Sequence, residues 1–97
     1  MIEKIAKPTL FGVGQIVATP GALAALEKTG ETAAQFLARH VTGDWGELPV
    51  EDRTENYLSV QHGFRLLSSY RTLAGDRAWV ITEADRSVTT ILLPDEY

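Results

Sequence analysis

The chain has 97 residues, no cysteine, and thirteen acidic against nine basic residues, for a formal charge of −4. The missing cysteines exclude disulfides, thiolate metal sites and a cysteine nucleophile. The negative balance speaks against holding nucleic acid by phosphate neutralisation. Hydrophobic content of 44% and charged content of 23% are ordinary for a globular protein, and the length suits a single domain over residues 1–97. No apolar run approaches the roughly eighteen residues of a spanning helix, and Met1 to Lys7 carries no signal-peptide pattern, so the expectation is a cytoplasmic protein without a membrane segment.

Residues 1–9 hold Pro8 and little periodicity, which predicts an arm whose order depends on what it touches. Leu10 to Ala18 is apolar enough for a strand, although Gly12 and Gly14 should weaken or bulge it. Gly12-Val13-Gly14 lacks the third glycine and the following helix of a nucleotide loop. Thr19-Pro20 then opens a short helix with Ala22, Leu23, Ala25 and Leu26 inward and Gly30 as its left-handed stop. Thr32-Ala33-Ala34-Gln35 is a capping box, and the helix it starts puts Ala33, Phe36, Leu37, His40 and Val41 on one stripe.

Gly43 to Pro49 reads as a loop in which Trp45 folds back over the core. Val50 to His62 predicts a third, more polar helix with Tyr57, Leu58 and Gln61 as a thin inner stripe and Gly63 as its stop. Phe64 to Arg71, Arg77 to Thr82 and Ser87 to Leu93 are rich in alternating, β-branched or aromatic residues and form an antiparallel meander. The last of these strands has apolar residues on both faces, so it is expected to be central. Trp79 and Ile81 are expected to face the helices, with Ala78, Val80 and Thr82 on the other side. Pro94 ends the strand and leaves Asp95-Glu96-Tyr97 as an acidic tail. The fold class is therefore α+β: an N-terminal strand, two to three helices, then a three-stranded meander, with the helices on one face of the sheet.

For chemistry, the two histidines lie on different predicted helices, and the carboxylate nearest to His40, Asp44, sits past the helix end, so neither a metal nor a cofactor is expected. A histidine on an apolar stripe more often makes hydrogen bonds in a core. Serines and acids lack the spacing of a catalytic triad. An alternative catalytic set is His40 with Arg65, Arg71 and Ser87, within a wider constellation that adds Arg86 and the hydroxyls of Ser69 and Thr89. The order of elements is similar to that of RelE and barnase-like ribonucleases, which would imply RNA cleavage by a base and arginines.

A closer likeness runs along nearly the whole chain. Phe11 to Leu23, Arg39-His40 with Gly43-Asp44-Trp45-Gly46, and Trp79 to Thr90 with Leu92-Leu93-Pro94 resemble a family of small uncharacterised proteins from bacterial plasmids and integrative elements. That resemblance implies an accessory role on a mobile element and no established activity. The function expected is a protein-binding or regulatory module, with a host defence enzyme as one partner class. Its binding residues are expected in two loops near one end of the domain: Asp44, Trp45 and Glu47 in the first, Glu83, Asp85 and Arg86 in the second. Arg86 paired with Asp44 or Glu47 across the gap is the bland alternative. Oligomeric state is not legible here.

Overall fold

The computed structural model describes residues 7–97, so most of the expected N-terminal arm lies outside the described residues, and Lys7 to Thr9 are exposed coil. Strand β1 (Gln15–Ala18) leads into α1 (Pro20–Thr29), α2 (Ala33–Val41) and α3 (Val50–His62). Strands β2 (Leu66–Arg71), β3 (Arg77–Thr82) and β4 (Val88–Leu92) follow, and a 3-10 turn over Pro94–Glu96 ends the chain. The sheet order is β1-β4-β3-β2, with β1 parallel to β4 and the remaining pairs antiparallel. The architecture is α+β, and β4 is central as its two apolar faces require.

Local chemistry sets the helix ends. The Thr19 hydroxyl accepts from the Ala22 amide at 3.2 Å, which supplies one of the bonds the first turn of α1 lacks. Thr32 and Gln35 form the reciprocal box that starts α2, with bonds of 3.3 and 2.8 Å. Ala22, Leu26, Phe36, Tyr70, Val80 and Ile91 are buried together between α1, α2 and the sheet. Leu23, expected inward, is instead exposed. The anionic tail is not free either: Glu96 accepts from the Gly21 amide at 3.0 Å and from the Thr19 hydroxyl, so a carboxylate closes the positive end of α1.

Two expectations about faces are corrected. Register puts Ala78, Val80 and Thr82 on the same face as Leu66, Ser68 and Tyr70, and that is the helix face. Trp79 and Ile81 lie on the opposite side, where the Tyr97 ring meets Trp79 edge-on at 5.7 Å. A period of two separates the faces of a strand but does not say which is inside. Here the branched Val80 packs with Phe36 and Leu26, whereas an indole at that position would overfill the layer.

The second correction concerns α3. Its buried residues are Asn56 and Ser59, and Tyr57 and Leu58 point outward. Strand β2 is an edge strand, and α3 closes that edge with polar bonds. Asn56 donates to the Leu67 carbonyl at 2.6 Å and accepts from the Leu67 amide at 3.2 Å. Further along the same edge, the Ser69 amide donates to the Trp45 carbonyl at 3.0 Å and the Glu47 amide to the Ser69 carbonyl at 2.7 Å. An edge closed in this way cannot template another chain.

The second contact explains Gly46, which sits at φ +74 beside Ser69; a Cβ there would overlap the Ser69 carbonyl and the Tyr70 ring. Gly75 has a similarly positive φ, +89, but opens onto empty space. Gly75→Ala should therefore cost only the left-handed penalty of about 1 to 2 kcal/mol. Gly46→Ala should cost that and about 1 to 3 kcal/mol more for the forced separation of the 45–47 segment from β2. Equal denaturation midpoints for the two variants would contradict this account of the edge.

Candidate functional site

At the centre of the helix face stands a line of side-chain hydrogen bonds. His40 Nδ1 lies 2.6 Å from Ser68 Oγ, and His40 Nε2 lies 2.9 Å from Thr82 Oγ1. Thr82 and Thr89 hydroxyls are 2.7 Å apart, and Thr89 donates to the Val13 carbonyl at 2.8 Å. Proton counting fixes the directions from Val13 back to His40 Nε2, because each hydroxyl has one proton to give. Thr89 gives its proton to Val13, so Thr82 must donate to Thr89 and His40 Nε2–H must donate to Thr82. Burial keeps the ring neutral, which leaves Nδ1 as an acceptor for the Ser68 hydroxyl.

None of these side chains meets solvent: His40, Ser68, Thr82 and Thr89 are all fully buried. Burial lowers the His40 pKa from its usual value to about 4. The base of the alternative catalytic set is thus enclosed beneath α2. Arg65 and Arg71 lie on the other face of the sheet, at opposite ends of β2, where Arg65 donates to the Tyr97 hydroxyl at 2.7 Å and Arg71 meets Glu47 at 3.2 Å. Ser69 binds Arg77 on that face, and Ser87 sits in the β3–β4 loop with its carbonyl taken by the Gln15 amide. His40, Arg65, Arg71 and Ser87 are not brought together.

The six residues expected to bind a partner are also taken up within the chain. Asp44 pairs with Arg39 at 2.6 Å, and this hydrogen bond holds its carboxyl below the usual range. Glu47 bridges Arg71 and Arg77 at 3.2 and 3.1 Å, with the same direction of shift and the same kind of cause. Glu83 meets Arg65, and Asp85 accepts from the Ser87 amide of its own turn. Arg86, at φ +62, donates to the carbonyls of Ser59, Phe64, Glu83 and Ala84 at 2.7 to 3.2 Å. It therefore pairs with neither Asp44 nor Glu47; it ties the β3–β4 loop to the end of α3, where a cation suits the helix dipole.

Trp45 is a lid over the core, as expected, at 2% exposure. It lies edge-on to His40 and Tyr57 and stacks on Phe11 at 6.2 Å, and its Nε1 has no partner among the described residues. Phe11 also lies 5.7 Å from the Arg86 guanidinium, so an aromatic ring links the two loops while their carboxylates turn elsewhere.

One surface with exposed apolar residues is on α3, although its Tyr57 ring also meets Trp45 edge-on. Asn56 and Ser59 are 4% and 6% exposed, but Val50, Tyr57, Leu58 and the following Phe64 are 62%, 55%, 48% and 59% exposed. Leu58 and Phe64 wall a groove of about 350 Å³, with Glu55 and Arg65 at its rim. Glu51, Asp52 and Glu55 enter no ion pair among the described residues, whereas Asp44, Glu47 and Glu83 do. Arg53, two residues from Glu51 and from Glu55, lies away from both by helical spacing and beside Val50 and Tyr57, three and four residues from it. The signal was present in the sequence as a helix whose apolar residues were too few for a core stripe, but it pointed inward until Asn56 was seen to occupy the sheet edge.

No family model matches this chain, and no curated protein and no solved structure matches it.

The enclosed histidine has a consequence for stability. A native pKa near 4 against about 6.5 unfolded means that the unfolded chain binds the proton more readily. The contribution is whole above about pH 6.5, falls as pH drops through that range, and levels near pH 4, for a total of about 3 kcal/mol. Denaturation midpoints measured from pH 7 to pH 4 should show this slope, and His40→Gln should lack it. A slope unchanged in His40→Gln would mean that other groups produce it.

Proposed function

We propose that this chain is a protein-binding module that docks its partner on the outer face of α3 and Phe64. The observation that carries this is the inverted helix, which anchors itself through Asn56 and Ser59 and leaves Val50, Tyr57, Leu58 and Phe64 in solvent. An exposed apolar patch rimmed by charge is the usual mark of a recognition surface. The occupant has apolar side chains for the Leu58–Phe64 groove and lysine or arginine beside Glu55 and Glu51. A basic amphipathic helix of another protein has both. The setting is the accessory role on a bacterial mobile element that the resemblance implies, with a host defence enzyme as the partner class.

The test begins with capture from bacterial lysate, identification by mass spectrometry, and titration of the purified partner. Leu58→Asp should weaken binding at least about tenfold, Glu55→Lys should weaken it and reduce its salt dependence, and neither should move the melting temperature much. Trp45→Ala, by contrast, should cost stability. Binding that survives Leu58→Asp, or a partner with an acidic, polar contact surface, would overturn the proposal.

A further inference from the structure

The two edges of the sheet are treated differently. The β2 edge is closed twice, by Asn56 and by the 45–47 segment. At the other edge, β1 pairs among the described residues with β4 on one side only, and three of its four residues are exposed. The Gln15 and Thr19 amides donate to Ser87 and Ile91, at 2.9 and 3.0 Å. Alternation along a parallel strand therefore turns the backbone donors and acceptors of Ile16 and Ala18 away from the sheet. Ile16 is 48% exposed on the helix face, and Val17 is 38% exposed on the opposite face.

Edge strands of soluble proteins usually carry a charge or a proline that discourages pairing. This one carries neither. From Thr9 to Thr19 there is no charged residue and no proline, in a chain whose net charge is −4. Two copies that approached through their acidic surfaces would repel each other, but two that approach through this segment meet neutral, apolar backbone.

We infer that two copies of the chain pair through the free edge of β1, antiparallel about a two-fold axis, to form one continuous sheet. The register follows from the outward groups. Ile16 of one copy exchanges both backbone hydrogen bonds with Ala18 of the second copy, and the symmetric pair repeats the exchange. Val17 then lies opposite its own counterpart on the open face, at the closer spacing of a pair that is not hydrogen-bonded. On the helix face the large Ile16 falls beside the small Ala18, so both exposed side chains are covered without a clash. A contact of four strand residues is small for a protein interface, so the dimer is reversible and concentration-dependent. The α3 face takes no part in it and stays free in both copies.

Sedimentation equilibrium of the full chain over a wide concentration range tests this. A monomer–dimer equilibrium is expected. Ile16→Lys should weaken it at least about tenfold by placing two cations across the axis. Ile16→Pro should do the same by removing an outward amide that the monomer does not use, as proline at a sheet edge is tolerated. Both substitutions sit at a half-exposed position, and circular dichroism checks that each variant is folded; Ile16→Lys decides the matter if Ile16→Pro is not. Leu58→Asp should leave the dimer unchanged, which separates this contact from the partner surface on α3. A monomer at every concentration, a dimer indifferent to Ile16→Lys, or one abolished by Leu58→Asp instead would overturn the inference.

Discussion

Everything on the helix face is arranged around one neutral imidazole. His40 comes from α2, Ser68 from β2, Thr82 from β3 and Thr89 from β4, and the line ends on the Val13 carbonyl just before β1. A buried polar group left unpaired costs about 1 to 3 kcal/mol, so four such groups in a small core are tolerable only if all are satisfied together. Their proton directions are mutually dependent, so satisfying them all fixes how α2 and three strands sit relative to one another. The aromatic residues follow that geometry: Phe11 and Trp45 each meet the His40 ring edge-on, and Trp45 brings the 43–49 loop against the outer edge of β2, which it helps to close.

The parts of the fold that were legible in the sequence are those decided by neighbours in the chain. Thr19, Thr32 with Gln35, Gly30 and Gly63 do what their types and spacing require, because a cap is a bond between residues two to four apart. The burial of Trp45 and the central place of β4 were legible from side-chain size and from a strand apolar on both faces. What was not legible depends on partners far away in sequence. Val80 rather than Trp79 faces inward because of the room left by Phe36 and Leu26. Asn56 rather than Tyr57 or Leu58 faces inward because Leu67, eleven residues later, offers an unpaired amide and carbonyl. The expected site failed for a related reason: charged loop residues look free until their counterions are located, and Arg39, Arg65, Arg71 and Arg77 supply them.

Once those internal pairs are subtracted, the surface divides by chemistry. Arg65, Arg71 and Arg77 are each paired with a carboxylate on the side of the sheet that the helices do not cover, which leaves that face little net positive field for a phosphate backbone. Glu51 and Glu55, which enter no ion pair among the described residues, lie on α3 near its exposed Leu58, and the uncharged segment lies at the opposite edge of the sheet, on β1. A partner with basic character and a second copy of the chain would thus be selected by different surfaces, which lets both bind at once.

The central claim is that His40 is a neutral, enclosed strut with Nε2 as its donor. Nitrogen-15 NMR of the imidazole ring tests it most directly. The account requires the Nε2–H tautomer, a ring proton protected from solvent exchange, and no titration until pH falls to about 4. A ring that titrates near its ordinary value of about 6.5, or that carries its proton on Nδ1, would contradict both the direction of the relay and the core built around it.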